Sequence, residues 1–87
     1  MAYSVMFRPA ARRELRHLEL ADQRRLIVAI EALSSNPRPT GCTKMAGFVD
    51  VWRIRVGMFR IIYRIADRNL IVEVIRIGHR RQVYRGL

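Results

Sequence analysis

The stretch Asp50-Val51-Trp52-Arg53-Ile54-Arg55-Val56-Gly57-Met58-Phe59-Arg60-Ile61-Ile62-Tyr63 constrains the fold of this chain more than any other. From Trp52 to Val56 the residues alternate, with Trp52, Ile54 and Val56 on one side and Arg53 and Arg55 on the other. A period of two marks a strand with one buried face. Gly57-Met58 interrupts the run, and glycine at the first loop position suits a two-residue type II′ hairpin turn. That turn sets the register: Val56 faces Phe59, and Arg55 faces Arg60. Like charges directly opposite each other destabilise a sheet. With Arg53 on the same side, the hairpin presents three cations and no carboxylate. Folding alone gives no reason for this arrangement, whereas an anion such as a phosphate held between the cations does; a solvated outer face is the alternative.

The remaining segments supply what the hairpin packs against. Tyr3 to Phe7 reads as a short first strand stopped by Arg8-Pro9. Pro9 fits the first turn of a helix over Ala10–Leu18, with Ala11, Leu15 and Leu18 inward and Arg12, Arg13 and Arg16 outward. His17, near its end, reads as an exposed residue without a partner. Asp22 reads as an early-turn or capping residue of a second helix running to about Leu33, with Leu26, Ile27, Ile30 and Leu33 as its apolar stripe. Ser34-Ser35-Asn36-Pro37-Arg38-Pro39-Thr40-Gly41 is a loop within one domain, because neither side of it can fold alone. Lys44-Met45-Ala46-Gly47 leads into the hairpin, whose second strand is Phe59–Ile65. A polar turn, Ala66 to Asn69, precedes a nearly continuous aliphatic run from Leu70 to Ile77, read as a central strand covered on both faces. Within it, Glu73 faces Arg64 and has a structural role. Gly78 then turns the backbone sharply, bringing Arg80 and Tyr84 back toward the arginine face. The expected fold is α+β, in the order β-α-α-β-β-β: a helical hairpin on one face of a small, mostly antiparallel sheet. Residues 1–87 form one domain, and the sheet's other face is basic and open.

The net charge of +10, with 16 of the 17 basic residues arginine, bears on partners rather than fold. It draws the chain toward nucleic acid, an acidic protein or an anionic surface. The hydrophobic share of 51% separates it from a disordered basic tail. Cys42 stands alone, which excludes an internal disulfide and a cysteine metal cluster. His17 and His79 do not complete a metal ligand set, so neither metal nor cofactor is expected. No signal peptide and no apolar run of roughly 20 residues is present, so the expected location is the cytoplasm.

An exposed basic face with a tyrosine nearby suits RNA or DNA binding, and it also permits chemistry. The 2′-hydroxyl of RNA can attack its adjacent phosphorus without a metal, given a base, cations for the phosphorane and a proton donor for the leaving 5′-oxygen. Tyrosine, with a pKa of about 10, is ordinarily a weak base, but surrounding guanidiniums lower that value. Tyr84 lies close in sequence to Arg80, Arg81 and Arg85. Packing of Tyr84 on the core is the alternative.

The segments Lys44 to Gly47, Asp50 to Tyr63 and Gly78-His79-Arg80-Arg81-Gln82-Val83-Tyr84 resemble the RelE/ParE toxin superfamily of bacterial and archaeal toxin–antitoxin modules, over roughly residues 3 to 85. Within it the chain looks like the RelE branch, ribosome-dependent endoribonucleases that cut messenger RNA in the A site and leave a 2′,3′-cyclic phosphate. The resemblance implies Tyr84 as general base, Arg80 assisting the leaving oxygen and Arg60 stabilising the phosphorane. It also implies Arg53 and Arg55 as phosphate ligands, with His79 and Arg81 as further RNA contacts. His79 is the rival base. Met45-Ala46 departs from the more usual leucine-arginine, which removes one basic contact. The implied partners are the ribosome, messenger RNA and a RelB-like antitoxin with an acidic amphipathic segment. The alternative is a ParE-like inhibitor of DNA gyrase, or an inactive relative that binds its antitoxin.

Overall fold

The structure, a computed structural model, describes residues 2–79. The elements run β1 (Ser4–Phe7), α1 (Pro9–Arg16), α2 (Leu20–Ser35), β2 (Thr43–Lys44), β3 (Val51–Val56), β4 (Phe59–Ala66), a 3-10 turn (Asp67–Asn69) and β5 (Ile71–His79). The strands form one sheet in the order β1-β5-β4-β3-β2. β1 pairs with β5 in parallel, and the other neighbours are antiparallel. This is the expected α+β arrangement, with both helices on one face, plus a short edge strand, β2, that the sequence pattern did not show.

Pro9 occupies the start of α1, where its missing N–H costs nothing. Ala11, fully buried, lets α1 approach the sheet, while Arg12, Arg13 and Arg16 stay in solvent. α2 starts at Leu20, which makes Asp22 an early-turn residue and not the cap. It is capped at Glu19 without a side-chain bond, and Asp22 lies in its first turn, paired with Arg25 at 2.7 Å. Its buried residues are Leu26, Ile30 and Leu33, one face at i, i+4 and i+7. Ile27 lies 100° round the helix from Leu26 and is 37% exposed, so it leaves the expected stripe.

The main core joins these helix residues to Ile54, Phe59, Ile61, Tyr63, Ile65, Val72, Val74 and Ile77. Each fully buried aliphatic side chain contributes about 1.5–3 kcal/mol. Tyr63 is wholly inside, and its hydroxyl donates to the Pro37 carbonyl at 2.8 Å, tying the proline loop to the sheet. Burial pushes that hydroxyl's pKa up, so it stays a donor. The sheet's second face is not uniformly basic: Val51, Ile62 and Ile75 form a small apolar cluster there, against Met45.

The sharp turn expected at Gly78 is absent. β5 continues through Gly78 to His79, because β4 supplies ladder partners as far as Phe59. Within β5 the register shifts by one residue: Ile62 faces Arg76 and Tyr63 faces Val74, leaving Ile75 as a bulge. His17 is exposed as expected, although its Nδ1 lies 2.6 Å from the Arg13 carbonyl. Among the described residues no helix is long and apolar enough to cross a membrane.

Candidate nucleic-acid interface

The hairpin adopts the register that its turn residues dictate. Gly57 has φ +60 and Met58 does not have positive φ, the combination of a type II′ turn. Val56 faces Phe59, and Arg55 faces Arg60. Arg53 faces Ile62, so Arg53, Arg55 and Arg60 share the side of the sheet away from the helices. Directly opposed Cα atoms in such a ladder are about 5 Å apart, so both guanidinium stems at the Arg55–Arg60 rung leave the same patch. On the far side of Arg60 the ladder partner is Gly78, which adds no side chain over the patch.

Glu14, Glu73 and Asp67 pair with arginines other than Arg53, Arg55 and Arg60. Glu14 accepts from Arg76 Nε and Nη2 and from the Ile77 amide, at 3.0–3.2 Å, which draws Arg76 over the sheet edge toward α1. Glu73 does face Arg64 across the ladder, but its ion pair, at 3.3 Å, is with Arg8. Asp67 takes two bonds from Arg38 and one from the Tyr3 hydroxyl. The Arg38 bonds, and then the Tyr3 bond, lower the Asp67 pKa to about 2, and the same carboxylate raises that of Tyr3. The Arg38 guanidinium lies 5.2 Å from the Trp52 ring centroid, close enough for a cation–π contact. On β3 and β4 the positions Val51, Arg53, Arg55, Arg60, Ile62 and Arg64 thus share one face and carry only positive charges, while β5 adds Glu73 to it opposite Arg64.

Of the expected site residues, the structure brings Arg53, Arg55 and Arg60 together. Arg80, Arg81 and Tyr84 lie outside the described residues. His79 is placed differently from the expectation that grouped it with the arginines. It faces Phe59 and stacks on that ring, with centroids 4.3 Å apart and planes 21° from parallel, on the helix side of the sheet. The bulge at Ile75 is the cause, since one extra residue moves every later β5 side chain to the opposite face.

Two cations near this face were not singled out from the sequence. Arg25 of α2 reaches the hairpin tip, where its guanidinium lies 3.3 Å from where a β-carbon on Gly57 would stand. Arg64 extends the basic row along β4. Helical periodicity places Arg25 outward, and no local pattern reveals that the hairpin tip lies beside it. Arg64 was legible by parity alone, from its even spacing after Arg60.

The model of the family described as ParE toxin of type II toxin–antitoxin system, parDE, matches residues 5–84. Toxin RelG of Mycobacterium tuberculosis is 33% identical over 89 residues, spanning 98% of this chain and 99% of that protein. Among solved structures, the fold is similar to the RelBE2 toxin–antitoxin complex of M. tuberculosis, with a TM-score of 0.81 and 28% identity over 92% of this chain and 100% of the other. It is equally similar to the intact Escherichia coli RelBE toxin–antitoxin complex, with a TM-score of 0.81 and 26% identity over 92% of this chain and 99% of the other.

Proposed function

The chain belongs to the ParE toxin family of type II toxin–antitoxin systems, in the RelE-like branch of the RelE/ParE superfamily, and on that premise we propose that it is a ribosome-dependent endoribonuclease held silent by an antitoxin. The observation that carries this reading is the Arg55–Arg60 rung with Arg53 beside it. The ladder gathers three cations on one sheet face, two of them directly opposed, and guanidinium groups so placed suit a bound phosphodiester.

In the proposed reaction the 2′-hydroxyl loses its proton to a base and its oxygen attacks the adjacent phosphorus. The bond to the 5′-oxygen breaks, that oxygen takes up a proton, and a 2′,3′-cyclic phosphate remains. Arg53 and Arg55 hold the phosphate, and Arg60 stabilises the charge that grows on the phosphorane. By resemblance, Tyr84 is the base, with its pKa lowered by neighbouring arginines, and Arg80 assists the leaving oxygen. The face taken by His79 in the structure favours Tyr84 over it. An acidic antitoxin segment suits a chain of net charge +10, and the two solved relatives named above are complexes with an antitoxin.

The matched family's ParE description favours a second reading, a gyrase inhibitor that cuts no RNA. Inducing the chain in cells and mapping messenger 5′ ends separates the two. Cuts at codon positions in translated messages alone support the nuclease. Intact messages with gyrase-dependent double-strand breaks support the inhibitor. Tyr84→Phe and Arg80→Ala should each relieve toxicity while antitoxin binding persists, and undiminished killing by both variants refutes their assigned roles.

A further inference from the structure

We propose that a recess at the other end of the arginine face seats an unpaired base of the same RNA, with Phe48 as stacking surface and Arg64 as phosphate contact. This inference rests on the nuclease reading. The recess, about 310 Å³, has Val51 and Ile75 as its floor, Phe48 as a wall, and Arg8, Arg64 and Arg76 around it. Val51 and Ile75 are buried, whereas Phe48 remains 41% exposed.

The loop that carries Phe48 is fixed at its base. The Met45 amide donates to the Val51 carbonyl at 2.8 Å and the Ile65 amide to the Asp50 carbonyl at 3.0 Å, with Asp50 at φ +55. A half-exposed ring on an anchored loop, over an aliphatic floor and beside cations, has the composition of a single-stranded nucleic-acid subsite, in which bases stack on aromatics and arginines track the backbone. The cations differ in availability. Arg8 is committed to Glu73 and Arg76 to Glu14, while Arg64 is exposed and makes no ion pair among the described residues.

Position decides between the possible occupants. Arg64 lies on the same strand and the same side as Arg60, four residues on, or about 13 Å. A strand gripped at Arg55 and Arg60 therefore runs along this face toward the recess. An anchoring side chain from a protein partner has no comparable continuity with the row of arginines.

The test uses ribosomes programmed with a short messenger that carries 2′-O-methyl groups, which block cleavage, and 2-aminopurine at successive positions in and around the A-site codon. Wild-type protein should quench the fluorescence at a position beside the gripped linkage. Phe48→Ala should abolish that quench and weaken binding roughly tenfold, and Phe48→Trp should keep both. Arg64→Ala should lower the salt dependence of binding by about one counterion. Melting curves confirm that the variants fold.

Cleavage of the unmodified messenger in the same ribosomes tests the underlying reading separately. If wild type leaves it uncut, the nuclease and the base seat fall together. If cleavage proceeds and Phe48→Ala alters neither quench nor affinity, the seat alone is overturned. A Phe48→Ala defect confined to antitoxin binding assigns the recess to the protein partner and also overturns it.

Discussion

Arg55 and Arg60 are direct partners across the β3–β4 ladder, and the strand beyond Arg60 meets it with Gly78. The rung is thus a directly opposed like-charge pair.

Relieving that pair should stabilise the free protein. Arg55→Gln is expected to raise stability by about 0.2–1 kcal/mol while lowering toxicity. Added phosphate should raise the melting temperature of wild type more than that of the variant. Thermal melts with and without phosphate check both, and a variant less stable than wild type in phosphate-free buffer contradicts the repulsion argument.

The Phe59–His79 stack sets His79 apart from Arg60, the residue proposed to stabilise the phosphorane. His79→Ala should cost about 0.5–1.5 kcal/mol of stability, the usual worth of an aromatic pair, and leave messenger cleavage near the wild-type rate. Arg60→Ala should lose about a hundredfold to a thousandfold in cleavage. Parallel urea titrations and single-turnover cleavage compare the two. A large cleavage defect in His79→Ala restores it as a base candidate.

Asp67 makes the proline loop sensitive to acid. Its folded pKa is lowered to about 2, against an ordinary aspartate value of about 3.9, so its ionised form is favoured by folding. The stabilisation is therefore present above about pH 4 and is lost as the pH falls toward 2. Asp67→Asn should be less stable at neutral pH and lose less on acidification across that window. Melting temperatures of both proteins between pH 2 and pH 6 give the comparison.

At the hairpin tip, Gly57→Ala combines a disfavoured positive φ with a new carbon 3.3 Å from the Arg25 guanidinium. A loss of about 1 kcal/mol or more is expected. A double variant with Arg25→Ala should recover the steric part and not the backbone part, which equilibrium unfolding of the three proteins can separate.

The hairpin, its register and its arginine rung were legible because a period of two and a glycine at the turn are local signals. The buried face of α2 was legible for the same reason, apart from Ile27, which helical geometry turns outward. The side occupied by His79 was not. Val72 to Ile77 is aliphatic at nearly every position, so nothing in it reveals the bulge at Ile75, and simple alternation puts His79 beside the arginines. The additional strand β2 has two residues and no pattern of its own. Phe48 and Arg64 converge through a loop whose path depends on long-range hydrogen bonds, beyond the reach of spacing rules.

β5 lies between β1 and β4 in the sheet, yet it is the last of the described strands to be synthesised. Until it leaves the exit tunnel, β1 has no neighbour, the helices have no complete sheet to lie on, and the β3–β4 pair is little more than an isolated hairpin, marginal in water. The nascent chain therefore carries its cations on an unfolded tether, and the rigid cationic platform is completed only once β5 has emerged to join β1 to β4.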